Sequence, residues 1–331
     1  MSDLYCKGLA SSSVLAYLAV IGLLRTVSGR IAGTSMSWSW QGWWRPTLHV
    51  PAEMDEEALL DLLEAEFKVG SESPYWPVKF QLGGPTDEFL QRLQNVAALT
   101  RSDDRTRADW WSSYGSETVE RENEKGKRGV EFSPWIYLHG QGGQHFLDAL
   151  RAIQNEDPKL QATRQRLREA LFSLWAYQAR AQSVLPTRWD PIDTQNHATC
   201  ARNPNKDKNK PCMPGAVRLA AEALPLLAAV PTADGIAAPA YVSSAQVRKQ
   251  GQPRGLEIVR DFSVVGLHFL PIWDGRVGID TVRSLLTHPV LCSLEEASQA
   301  ELRQLGLLDR LMPRCTKSGK YRRSTAASSC L

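Results

Sequence analysis

Apolar residues along this chain follow two rhythms that take turns, one near the helical period of 3.6 and one with the strand period of 2. After the Ser11-Ser12-Ser13 cluster, which suits a helix N-cap, Val14, Leu15, Leu18, Ile21 and Leu24 recur at helical spacing, and Gly29 marks the stop. From Ser35 the rhythm changes. Met36, Trp38 and Trp40 alternate with serines, which predicts a strand. Gln41-Gly42 is a tight turn, Trp43 to Val50 returns as a second strand, and the apolar stripe of this hairpin faces the first helix. Asp55 caps an amphipathic helix through Leu59, Leu60, Leu62, Leu63 and Phe67. Val78 to Leu82 reads as a short strand broken by Gly83-Gly84-Pro85, followed by a helix from Thr86 to about Leu99 and a polar helix from about Arg101 to Trp111.

Residues 115–129 are charged, contain glycine and lack apolar periodicity, so a flexible surface loop is expected. Val130 to Leu138 returns to strand composition, and Phe146, Leu147, Leu150 and Ile153 mark a helix beyond it. Pro158 opens a longer helix carrying Leu167, Leu171, Leu174 and Trp175. Residues 183–214 form a long polar loop rich in Pro, Asn and Lys, and a helix follows from Ala216 to Ala229. The remainder alternates strands at Leu256–Val265 and His268–Trp273 with helices at about 279–287 and 294–307. The expected fold is α+β, mixed helices with short antiparallel strands and hairpins. Its N-terminal region is 1–114, with the Trp-rich hairpin. The charged loop 115–129 and a C-terminal region, 130–312, come next, and 313–331 is expected to be a basic, disordered tail.

Composition adds little to the pattern. Apolar residues make up 43% and charged residues 23%, which places the chain among globular proteins with a sizeable core. The run Val14 to Leu24 is shorter than the roughly 20 residues that cross a bilayer. Asp3 precedes it and Lys7 is its one nearby cation, so it reads as a buried helix rather than a secretion signal, with no role for a membrane. Six cysteines (Cys6, Cys200, Cys212, Cys292, Cys315, Cys330) form no disulfide framework, and a reducing cytoplasm is the expected setting. A net charge of +3 implies no particular partner, but its distribution does: 202–210 and 314–323 are basic, the latter through Arg314, Lys317, Lys320, Arg322 and Arg323.

Candidate chemistry is sparse. Gly140-Gln141-Gly142-Gly143-Gln144 leads into a helix and could offer backbone N–H groups to a phosphate, but it lacks the Lys-Ser/Thr of a P-loop and reads first as a turn. His197, Cys200 and Cys212 lie close together without a CxxC pair, so neither a metal site nor a cofactor is expected. HExxH, GxSxG and Walker patterns are absent, and no catalytic residue is assigned. Asp190 and Asp193, with His197, could serve a metal-dependent nuclease. Their simpler role is a turn, with Trp189 as its anchor and Asp190-Pro191 as its start. The loop beyond carries Asn196, Lys206, Lys208 and Lys210, residue types that meet phosphates and base edges, but composition alone also fits a solvated loop.

At this region the chain resembles a family. Trp189-Asp190-Pro191, the Asn203-Pro204 step, then Gly215-Ala-Val-Arg218-Leu-Ala and the Pro-rich Leu224 to Pro231 are similar to the large-subunit-like proteins of type I-G (formerly I-U) CRISPR systems. Leu15-Ala-Tyr17-Leu18-Ala-Val-Ile-Gly22-Leu23-Leu24-Arg25 resembles their opening helix, and a Trp-containing hairpin follows it there too. The likeness covers about 1–45 and 185–232, and where the family has Asn in its Gly-Ala-Asn-Arg-Leu-Ala stretch this chain has Val217. The resemblance implies a non-enzymatic subunit of the effector (Cascade) complex. Its partners would be crRNA-bound backbone subunits, target double-stranded DNA and a helicase-nuclease. It would read a short flanking motif while the guide reads sequence. The DNA-contact candidates are then Arg188, Lys206, Lys208, Lys210, Arg218, Arg248, Lys249 and Arg254, with Gln141, Gln144 and Asn196 for base edges. A Trp-rich scaffold that binds protein through 38–44 is the third reading.

Overall fold

The computed structural model describes residues 1–67, 91, 94–95, 105–122, 128–137, 146–154, 163–175, 187–191, 212–233, 235–249, 263–295, 297–318 and 321–329. The fold is α+β, helices set among several small antiparallel sheets.

The first helix is the centre of the molecule. Strand β1 (Ser2–Tyr5) precedes α1 (Val14–Ser28), and β2 (Ser35–Trp40) and β3 (Trp44–Val50) follow it. The strands form an antiparallel sheet in the order β1-β3-β2. Ser13 is the N-cap of α1, its Oγ accepting the Ala16 N–H at 3.2 Å, and Gly29 is the C-cap. Every residue from Val14 to Leu24 is buried, so the helix is apolar all round because it is surrounded. The sheet packs on it as the alternation predicted: Tyr17 stacks on Trp38 with ring centroids 5.9 Å apart.

Helix α2 (Glu56–Phe67) is capped as expected, with Asp55 Oδ1 accepting the Ala58 N–H at 2.8 Å. Helix α3 (Arg105–Ser112) is the expected polar helix, and what comes next is a correction. The segment 115–129 contains most of a β-hairpin, β4 (Gly115–Glu122) against β5 (Arg128–Phe132), rather than a flexible loop. The hairpin is held by backbone pairing from Glu120↔Val130 to Glu122↔Arg128, which needs no apolar alternation.

Helices α4 (Phe146–Gln154), α5 (Thr163–Phe172) and α6 (Pro214–Ala221) come next, and α6 crosses α1. The crossing is close because Gly22 has no side chain: a Cβ there would overlap the Leu219 carbonyl oxygen. Helix α6 stops earlier than the expected Ala229. Pro225 lacks an N–H and its ring would strike the Ala221 carbonyl, so the chain tightens into a 3₁₀ turn at Leu224–Leu226. A small hairpin follows, β6 (Val230–Thr232) with β7 (Gly235–Ala237).

The C-terminal part contributes β8 (Tyr241–Ser243), α7 (Ser244–Lys249), β9 (Val264–His268), β10 (Leu270–Trp273), α8 (Ile279–Thr287), α9 (Ala297–Gln304) and β11 (Leu307–Leu311). The expected strand His268–Trp273 is divided at Phe269, so that β9 and β10 serve different sheets. The tail is a second correction: β12 (Arg314–Ser318) and β13 (Tyr321–Ser324) complete a sheet of order β13-β12-β9-β8. The chain then runs back over the core, Ala327 N–H donating to Ser12 at 3.0 Å.

One hydrophobic cluster joins both ends of the chain. The Tyr17 hydroxyl donates to the Pro271 carbonyl at 2.9 Å, and Trp273 Nε1 donates to the Met36 carbonyl at 2.8 Å. Among the described residues no helix is long and apolar enough to cross a membrane. The expected strand Val78–Leu82 and the Gly140–Gly143 turn lie outside the described residues, as does nearly all of the expected helix Thr86–Leu99.

Candidate nucleic-acid interface

The hairpin β12–β13 concentrates positive charge by register. Lys317 lies directly opposite Arg322, and Arg323 lies opposite Thr316. Side chains alternate between faces, so Lys317 and Arg322 share one face and Arg323 takes the other. Like charges directly opposite one another destabilise a strand pair by a few tenths of a kcal/mol or more. Among the described residues Arg314, Lys317, Arg322 and Arg323 have no carboxylate partner. Several cations elsewhere are paired with carboxylates. Arg25 meets Glu222 at 2.8 Å, Arg30 meets Glu66 at 2.6 Å, Arg168 meets Glu57 at 2.6 Å, and Arg164 bridges Glu57 and Asp61. Among the described residues the hairpin gathers several cations that have no carboxylate partner.

Several of the sequence-derived candidates converge on this sheet. The carbonyl of Arg188 accepts the Ser324 N–H at 3.2 Å, which puts Arg188 beside β13. Its φ of +66° is unusual for a residue with a side chain. The next residue, Trp189, is fully buried and holds the position: its Nε1 donates to the Trp135 carbonyl at 2.7 Å, and its carbonyl accepts the Leu15 N–H at 3.2 Å. The root of the long basic loop is thus fixed next to the basic hairpin. Arg248 and Lys249 lie on α7, which follows β8 at the opposite edge of the same sheet. Gln141, Gln144, Asn196, Lys206, Lys208, Lys210 and Arg254 lie outside the described residues.

Arg218 does not join them. It is buried in α6, its guanidinium 2.5 Å from Glu222 and 3.9 Å over the Phe67 ring, so its charge is spent inside the molecule. Asp190 is buried as well, next to the buried Trp189, while Asp193, His197 and Cys200 lie outside the described residues. Among the described residues no group of three His, Cys, Asp or Glu could hold a metal ion.

Two polar constellations were invisible in the sequence. Behind β12, the His268 Nε2 lies 2.6 Å from the Tyr137 hydroxyl. Burial, reinforced by the nearby Arg322 charge, pushes the imidazole down to about 3, and burial pushes the adjacent Cys315 thiol up to about 11. On the outer face of the N-terminal sheet, Ser37 Oγ lies 2.7 Å from His49 Nε2, and His49 Nδ1 lies 2.7 Å from Asp3. This is the hydrogen-bond order of an acyl-transfer triad, but here the sheet places it: Asp3 faces His49 across β1–β3, and Ser37 lies diagonal to His49 on β2, two residues from Ser35, which faces His49. The His49 hydrogen bond, with Arg276 adding to it, holds the Asp3 carboxyl below its usual range. The row laces three strands together. Compared with protein-family models and with curated proteins, the chain matches none.

Proposed function

We propose that this chain is a non-catalytic, nucleic-acid-binding subunit of an RNA-guided effector complex of the type I-G CRISPR kind, acting in the cytoplasm. In this reading it binds target DNA beside the guide-matched site, assists unwinding and offers a docking surface for a helicase-nuclease, with crRNA-bound backbone subunits as its neighbours. The observation that carries the reading is the β12–β13 hairpin, whose Lys317, Arg322 and Arg323 have no carboxylate partner among the described residues. A polyanion supplies what such a hairpin lacks, because each neutralised phosphate releases condensed counterions. Arg188, at the root of the basic loop, lies beside β13. The resemblance of 1–45 and 185–232 supplies the kind of complex.

A net charge of +3 fits a subunit with modest affinity of its own, completed by partners through effective concentration. The test is co-purification of the tagged chain, expressed with its neighbouring genes and a guide RNA. A stoichiometric ribonucleoprotein at moderate salt is expected. Recovery of the chain alone, free of RNA and partners, would overturn the reading.

A further inference from the structure

The β2–β3 hairpin carries its core-facing row beyond the core. Met36↔Leu48, Trp38↔Pro46 and Trp40↔Trp44 are successive pairs on one face of the ladder. Met36 and Trp38 are buried, whereas Trp40 is 60% exposed and Trp43, in the turn, is 43% exposed. The tip is braced. Trp40 and Trp44 meet edge to face with centroids 5.3 Å apart, and Trp44 Nε1 donates to Asp309 at 2.9 Å. The turn is tight because Gly42 adopts a φ of +76°, and the Tyr5 hydroxyl holds Gln41 in place. Two exposed indoles on a fixed support form a surface that water does not solvate well.

Charge indicates what covers it. Arg45 lies one residue beyond the Trp40↔Trp44 pair, and its guanidinium donates to the carbonyl of the exposed Lys7. Neither cation has a carboxylate partner among the described residues. The nearest acid of the brace, Asp309, is buried and occupied by Trp44, Ser329 and the Arg310 N–H. Aromatic faces flanked by free cations suit a single nucleic-acid strand, in which every base offers a π-face and every link a phosphate. A stable duplex hides its base faces and offers only phosphates and groove edges.

We propose that Trp40 and Trp43 form a stacking platform for unpaired bases, with Lys7 and Arg45 taking the adjoining phosphates. The proposal rests on the nucleic-acid reading but uses a different surface from the basic hairpin. It is tested by fluorescence anisotropy with a labelled oligothymidylate and with a duplex of equal length, on the full chain. Trp40→Ala/Trp43→Ala should weaken binding to the single strand by about ten- to a hundredfold and leave duplex binding within about twofold. Trp40→Phe/Trp43→Phe, which keeps aromatic faces, should retain most of the single-strand affinity. If the alanine variant holds the single strand as tightly as the wild type, the platform is overturned and the nucleic-acid reading stands. If that variant instead loses a protein partner while keeping the strand, the tip is a protein contact and the platform is overturned. A wild type that binds neither strand nor duplex would overturn both ideas together.

Discussion

His268 and Tyr137 share a hydrogen bond of 2.6 Å in a fully buried setting, and the other ring nitrogen, Nδ1, has no partner among the described residues. A charged imidazole in that place would be desolvated and would face the Arg322 charge, so the neutral form is favoured down to about pH 3. In the unfolded chain the same group titrates near its ordinary value of 6.5. Between those values the unfolded state binds the additional proton. The stability owed to this group is complete well above pH 6.5 and is lost as pH falls toward the folded value, at a slope that steepens below pH 6.5 toward about 1.4 kcal/mol per pH unit. Urea titrations at pH 7, 6 and 5 should show this slope. His268→Gln, less stable throughout, should show a shallower one. Equal slopes in the two proteins would remove His268 as its source.

The α1–α6 crossing gives a prediction of opposite logic, since it turns on a missing atom. In an ordinary helix interior, Gly→Ala stabilises by about 1 kcal/mol. At Gly22 the added methyl would meet the backbone of Leu219, which a rotamer change cannot move. Gly22→Ala should therefore destabilise by about 1–3 kcal/mol, read as a lower urea midpoint with an unchanged m-value.

Legibility in the sequence followed the source of each element's stability. Where side-chain burial makes the element, the pattern was plain: α1, the β2–β3 hairpin and α2 were all predicted with their caps or turn. Where backbone pairing makes it, the pattern was silent. The β4–β5 hairpin bears Glu120, Arg121, Glu122 and Arg128, and β12–β13 bears Lys317, Arg322 and Arg323. Such strands resemble disordered polar segments, because what they add to the fold is mainly hydrogen bonds to a neighbour that the local sequence does not name. The same reason divided the site. Charge along 314–323 was legible, but its arrangement as cross-strand cations was not. Arg218, chosen for its charge, turned out to be an interior residue because α6 is buried on all sides.

Trp189 provides a test of the anchor beneath the basic loop. Its ring lies edge to face with Phe146 at 5.3 Å, and its Nε1 satisfies the buried Trp135 carbonyl. Trp189→Phe keeps most of the ring but leaves that carbonyl without its donor, at a cost of about 1–3 kcal/mol. Trp189→Ala also opens a cavity and should cost about 3–5 kcal/mol. Denaturant midpoints of the two variants should fall in that order, and a Phe variant as unstable as Ala would show that the hydrogen bond outweighs the packing.

The basic hairpin makes its prediction through salt rather than affinity. For duplex DNA the slope of log K against log salt is about −0.9 per phosphate neutralised. Lys317→Ala/Arg322→Ala/Arg323→Ala should make that slope shallower by about 1 to 3, as these cations have no carboxylate partner among the described residues. Arg164→Ala/Arg168→Ala removes two cations that are already paired with Glu57 and Asp61. It should leave the slope within about 0.5 of the wild type. Net charge falls in both variants, so a general electrostatic effect would shift both slopes. A shift confined to the hairpin variant would assign the phosphate contacts to β12–β13, and equal shifts would place them elsewhere.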